Sequence, residues 1–168
     1  MKSIGTILLL FIAALSSGQR PQDTLLRKLK PFNSTNKDSL TFNPGSFTIS
    51  DGFGGYTYRL DSSGMFERVD FADIGGGHIT EKGRFEINAK RQIELISEKA
   101  SVTLNVFAFD KFSFLIKPAS VSEFQTDFAK AVSVFSGKPF YNLNDVSYTA
   151  DFMIALSLAS KYLVKGIE

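Results

Sequence analysis

Between Leu40 and Pro118 apolar and polar residues alternate almost one for one. Tyr56, Tyr58 and Leu60 interleave with Thr57, Arg59 and Asp61, and Phe85 and Ile87 with Arg84, Glu86 and Asn88. Ile93 and Leu95 are set against Gln92 and Glu94, and Val102, Leu104 and Val106 against Thr103 and Asn105. Successive strand side chains point to opposite faces, so a period of two marks half-buried antiparallel strands. The breaks are short. Asp61–Gly64 (DSSG), Asn88–Lys90 (NAK) and Asp110–Lys111 (DK) suit tight hairpins, Gly64 because it takes positive φ without strain. Strands joined so briefly run up and down. The pattern predicts seven or eight of them, at Ser39–Phe42, Ser46–Ser50, Tyr56–Leu60, Met65–Phe71, His78–Ala89, Arg91–Ser97, Ser101–Phe109 and Phe112–Lys117.

Past Pro118 the period changes to near 3.6. Ser120 and Glu123 have capping-box spacing, and Val121, Phe124, Phe128, Val132 and Phe135 form one stripe ended by Gly137 and Pro139. A second helix is predicted over Thr149–Val164, with Phe152, Met153, Leu156, Ala159, Tyr162 and Leu163 covering most of its circumference. Before the strands, Leu25, Leu26 and Leu29 predict a short helix over Asp23–Phe32, stopped by Pro31 and followed by a polar linker at Asn33–Asp38. The run Val106–Phe109 (VFAF) is apolar on both faces, so Phe107 and Phe109 should either dock a C-terminal helix or form an exposed aromatic patch. The fold class expected is α+β: an antiparallel up-and-down meander, as a curved sheet or partial barrel, packed against two C-terminal helices.

The N-terminus changes the picture of where the chain works. Lys2, the apolar run Ile4–Leu15 and the small residues Ser16, Ser17 and Gly18 read as a secretory signal peptide over residues 1–18, too short in its apolar part for a comfortable span of about 20 residues. No cysteine is present for lipid attachment, disulfides or thiolate ligands. Together these predict a secreted or periplasmic protein of a bacterial envelope. About 150 residues remain, enough for one domain over 39–168 to bury a core without staples. A net charge of +2 for the whole chain leaves no footprint for nucleic acid. The charge is uneven, however: Arg20, Arg27, Lys28, Lys30 and Lys37 meet only Asp23 across 20–37. This basic arm is either simply solvated or a contact for an anionic membrane surface through Arg20, Arg27, Lys28 and Lys30.

Candidate chemistry is sparse. Asp73–Thr80 (DIGGGHIT) sets three glycines before the only histidine. A phosphate cradle needs its glycines between a strand and a helix, whereas Gly75–Gly77 fall between two strands, so a hairpin loop or bulge is expected. His78 with Asp70 or Asp73 would make a general base, but no G-x-S-x-G elbow presents a nucleophile, and one histidine offers no metal site beyond oxygen ligands. No catalytic residue, metal or cofactor is assigned. Simple alternation places Glu67 on the dry face with Met65, Val69 and Phe71; a bulge near Gly64 would instead turn Phe66 inward and Glu67 outward, because a one-residue slip exchanges the faces.

Tyr56–Ser97 (YTYRLDSSGMFERVDF…GRFEINAKRQIELIS) resembles the meander of lipocalin-like domains of secreted bacterial proteins. The likeness lies in the aromatic-x-aromatic-x-Leu strand Tyr56–Leu60, the turn Asp61–Gly64, Phe66, Gly83–Ile87, the turn Ala89–Lys90, and Ile93–Leu95. The Gly-x-Trp of lipocalins proper is missing and the C-terminal helices are additional, so a closed barrel and an open curved sheet both fit. The resemblance implies enclosure of an apolar or amphiphilic ligand. We therefore expect a non-enzymatic binding protein for a small hydrophobic or lipid-like molecule, lined by Tyr56, Tyr58, Met65, Val69, Phe85 and Ile87. The alternative is an envelope interaction protein without a cavity, acting through the basic arm or a sheet face.

Overall fold

The computed structural model describes residues 21–32, 42–72, 75–144 and 146–167. The expected signal peptide, Arg20, the expected polar linker and most of the strand expected at Ser39–Phe42 lie outside these. Seven successive strands form the meander: β2 (Ser46–Ser50), β3 (Gly54–Leu60), β4 (Met65–Ala72), β5 (Gly76–Ile87), β6 (Ile93–Ser97), β7 (Ser101–Phe109) and β8 (Phe112–Ile116). Each pairs antiparallel with the next, except that β8 is not joined to β2 directly. After an odd number of antiparallel strands the first and last run the same way. One further strand, antiparallel to both, closes the ring: β11 (Leu163–Lys165) pairs with β2 and β8. The result is an eight-stranded up-and-down barrel, which leaves none of these strands as a bare edge.

The predicted turns form with the chemistry expected of them. Asp61 Oδ1 accepts from Ser63 N (2.8 Å) and Met65 N (3.0 Å), and Gly64 sits at φ 85°. Asn88 Oδ1 accepts from Lys90 N and Gln92 N, with Arg91 at φ 57°; Asp110 turns β7 into β8 at φ 54°. The glycine run joins β4 to β5, with Gly75 and Gly76 at positive φ, as expected of a hairpin.

β7, β8 and β11 carry apolar residues on both faces and so separate two cores. The inner one fills the barrel with Phe47, Tyr58, Leu60, Phe66, Ile93, Leu95, Leu104, Val106, Leu115 and Leu163. The outer one lies under α2 (Val121–Phe135) and α3 (Ala150–Leu158), where Phe107, Phe109, Phe112 and Phe114 meet Phe124, Phe128, Ile154 and Tyr162. Phe107 and Phe109 thus dock helices. The first helix, α1 (21–28), adds Leu25 to this outer core together with Leu29 just after it, and Lys28 pairs with Asp151 at 2.7 Å. The N-terminal segment therefore lies on the body: β1 (Lys30–Pro31) pairs with Phe107–Ala108, on the edge of β7 that β6 leaves after Leu104.

Two local expectations are corrected, and one element is added. Ser120 makes no side-chain cap; a 3₁₀ turn over Pro118–Ser120 leads into α2 instead. The helix expected over Thr149–Val164 ends at Leu158, because Leu163 and Val164 are needed in the closing strand and face the two cores from opposite sides. A hairpin of β9 (Phe140–Leu143) and β10 (Val146–Thr149) precedes α3, with Asn144 at φ 48° in its turn.

Candidate functional site

The barrel interior is divided along its length. At the end carrying the turns 61–64, 88–92 and 110–111 it is filled. Phe32, whose N–H donates to Val106 O, is inserted there beside Phe42, which stacks on Phe47 and meets Phe85 edge-on. Lys165 ties down the chain that carries this plug, donating to Asn43 O (2.9 Å) and Pro44 O (2.7 Å). The opposite end is open and holds a cavity of about 460 Å³. One wall is aliphatic, with Ile49, Val102, Leu104, Leu115 and Leu163; the other carries Tyr56, Tyr58, Arg68 and Glu81; Lys117, Ser120, Glu123, Lys161 and Tyr162 stand at the mouth.

The register explains the polar wall. Leu60 pairs with Phe66, so Phe66, Arg68 and Asp70 face inward with Tyr58 and Tyr56. Arg68 packs its guanidinium 4.2 Å from the centre of the Tyr56 ring and donates from Nε to Asp70 Oδ1 at 2.7 Å. Burial works against the arginine's charge, but the Asp70 carboxylate outweighs it and raises the pKa above its ordinary value. Tyr56 and Tyr58 are both raised, first by burial. Glu81 is paired across the strands with Arg68, yet its carboxylate accepts from Ser97 Oγ and no ion pair joins the two.

At the mouth, Lys161 Nζ reaches Glu123 Oε1 (2.6 Å) and Asp127 Oδ2 (2.7 Å), and Tyr162 Oη donates to the same Asp127 oxygen at 2.9 Å. Asp127 is held below its usual pKa by the Lys161 and Tyr162 hydrogen bonds, and Lys161 is raised by those to Asp127 and Glu123. Tyr162 is pushed up to about 12 by burial and by its bond to Asp127. This cluster fixes α2 to the segment that enters β11. Lys117 forms no ion pair among the described residues.

Of the six lining residues expected, the cavity brings together Tyr56 and Tyr58. Phe85 is inside the barrel but in the plugged half, and Ile87 stands at that end, 47% exposed. Met65 and Val69 face outward, because the four-residue turn Asp61–Gly64 sets Phe66, and not Met65 or Glu67, against the inward Leu60. Met65 borders an outer groove, Val69 packs over Gly77, and Glu67 pairs with Lys82 at the surface. The bulge of β4–β5 lies between Arg68 and Val69 rather than near Gly64. Arg68 and Glu81 were not among the expected residues. Their signal was the alternative register itself: turning Phe66 inward turns Arg68 inward with it. His78 is opposite Asp70 on an exposed stretch, while Asp70 is engaged by Arg68. Among the described residues no cluster of three or more metal-ligating side chains occurs, and no helix is long and apolar enough to cross a membrane. No protein-family model, curated protein or solved structure matches the chain.

Proposed function

We propose that this protein is a secreted or periplasmic binding protein that holds one small amphiphilic molecule in the open half of its barrel and acts by sequestration or carriage rather than by bond chemistry. The observation that carries this reading is the cavity of about 460 Å³, within the range of small-molecule sites, with an aliphatic wall facing two tyrosines and an arginine. The plugged half packs its inward positions with aromatic rings, whereas the open half sets a one-third exposed guanidinium and a carboxylate beside a cavity. The resemblance of Tyr56–Ser97 to lipocalin-like meanders points the same way. Of the basic arm, Lys28 is already engaged by Asp151, so the reading through a membrane-binding arm rests on Arg27 and Lys30 among the described residues.

Titration with Nile red, an uncharged fluorescent probe, tests the reading. The chain should bind it saturably at one site, and Val102→Trp, which puts a large ring into the cavity, should abolish that binding with the far-UV spectrum unchanged. Absence of saturable binding, or equal binding by the filled variant, would sink it.

A further inference from the structure

We infer that binding in the barrel is controlled by pH, with His78 as the positioning residue that sets where Arg68 stands in the cavity wall. The inference rests on the cavity being a ligand site and names the regulation of that site. Two cross-strand rows face inward on β3, β4 and β5. Tyr56 is paired with Asp70 and Asp70 with His78; one row deeper, Tyr58 is paired with Arg68 and Arg68 with Glu81. Paired residues share a face of the sheet, and opposite charges directly across from one another ordinarily join. Arg68 and Glu81 do not. Arg68 leans out of its own row, its guanidinium 4.2 Å from the Tyr56 ring centre and its Nε on Asp70 Oδ1 at 2.7 Å, while Glu81 accepts from Ser97 Oγ. Arg68 therefore takes the carboxylate that stands opposite His78 and leaves the one that stands opposite itself.

Protonation of His78 removes the reason for that arrangement. Histidine is the side chain that ordinarily changes charge between about pH 5 and pH 8. The charged groups around His78 are Asp70 directly opposite, Arg68 diagonal to it, and Glu81 three residues on along β5. β6 stops at Ser97, opposite Gly83, so no strand flanks the other side of His78, and Lys99 on the following turn is directed to Thr80 O at 3.1 Å. With His78 neutral, one guanidinium faces two carboxylates and stays with the one that also gives it the Tyr56 ring. With His78 charged, two cations compete for Asp70 while Glu81 is left without one. Placing the imidazolium on Asp70 and Arg68 on Glu81 makes each row neutral. The guanidinium then leaves the Tyr56 ring and returns to its own row, between Tyr58 and Glu81, both of which line the cavity. A ligand fitted to the wall of the neutral form is held less tightly by the acid form.

Nile red titrations at about pH 8 and about pH 5.5 test this, spanning the change of charge on histidine with a probe that is itself uncharged. The native chain should bind about fivefold more weakly at the lower pH, the low end of coupling between linked sites. The Tyr56 ring resonances of the ligand-free chain should shift over the same range as the guanidinium leaves. His78→Gln should keep the affinity of the neutral form at both pH values and hold the Tyr56 resonances still. Glu81→Gln, which leaves Arg68 no second carboxylate, should likewise flatten the pH profile, with circular dichroism confirming an unaltered fold. Affinity that does not change with pH in the native chain would overturn the inference while leaving the cavity as a ligand site. So would a pH profile that either variant retains, or one unaccompanied by a shift of the Tyr56 resonances. Absence of Nile red binding at both pH values would remove the reading beneath it.

Discussion

The two halves of the barrel are built from the same strands and differ in what they do with their inward residues. In the plugged half Phe32, Phe42, Phe47, Phe66 and Phe85 interlock, and Phe47 and Phe66 are almost wholly buried. In the open half Tyr56 is only partly buried, Arg68 is one-third exposed, and polar side chains are held by one another. The difference shows where close packing gives way to a polar cup along a single sheet. Close-packed rings lose contacts and leave a void when truncated. A polar cup open to water loses little stability, because water replaces what is removed.

The largest expected effect tests that separation. Phe47→Ala should cost about 3–5 kcal/mol, the range for truncating a buried aromatic, and lower the melting temperature by on the order of 10 °C. Phe85→Ala should also act on stability, since Phe85 packs on Phe42 away from the cavity. Tyr56→Leu should cost less than about 1.5 kcal/mol, yet weaken Nile red binding, because it removes the ring beneath Arg68. Urea unfolding and probe titration of all three variants give the comparison directly. If Phe85→Ala lost binding while keeping stability, the division between the halves would be wrong.

A smaller effect bears on how the plug is kept in place. Lys165→Met retains the aliphatic stem but loses the bonds to Asn43 O and Pro44 O and the ammonium 6.0 Å from the Phe47 ring centre. Hydrogen bonds from a charged donor support a loss of about 1–2 kcal/mol for this partly exposed group. Faster amide exchange should follow along β2 and the adjoining end of β3. Unchanged exchange with unchanged stability would mean that the rings alone hold the plug.

How far this was legible in the sequence depends on the range of the signal. Alternation and turn chemistry are local, so Ser46–Ser50 and Ser101–Phe109 form as predicted and the Asp61–Gly64 turn closes on its own aspartate. Which face points inward is set by register, and register by the turn: alternation puts Tyr56 and Tyr58 on the inward face, where they lie, but puts Met65 and Val69 on the wrong side of β4. The closing strand was hidden because Leu163 and Val164 continue an apolar helical pattern. Only the need for a partner between β2 and β8, a property of the whole ring, makes them a strand. Arg68 and Glu81 are ordinary charged residues in sequence and come together beside the cavity only through their strand pairing. The hairpin Phe140–Thr149 did carry a signal, alternation on either side of Asn144, but too short to stand out beside the helices.

The smallest expected effect concerns the seam between the open half and the helices. Tyr162 is buried and donates to Asp127, and its pKa is raised from the ordinary 10 to about 12. A group whose pKa rises on folding contributes stability that is whole below its unfolded value and is lost as the pH climbs through its folded one. The native chain should therefore lose stability between about pH 10 and pH 12 more steeply than Tyr162→Phe, which has no hydroxyl to ionise. At pH 7 the order reverses, the variant being weaker by about 1 kcal/mol for the missing hydrogen bond. Urea midpoints of the two proteins plotted against pH should thus converge and cross on the alkaline side. Parallel curves would mean that the hydroxyl is not held by Asp127, and that Lys161, bonded to both Glu123 and Asp127, fixes the mouth of the cavity without it.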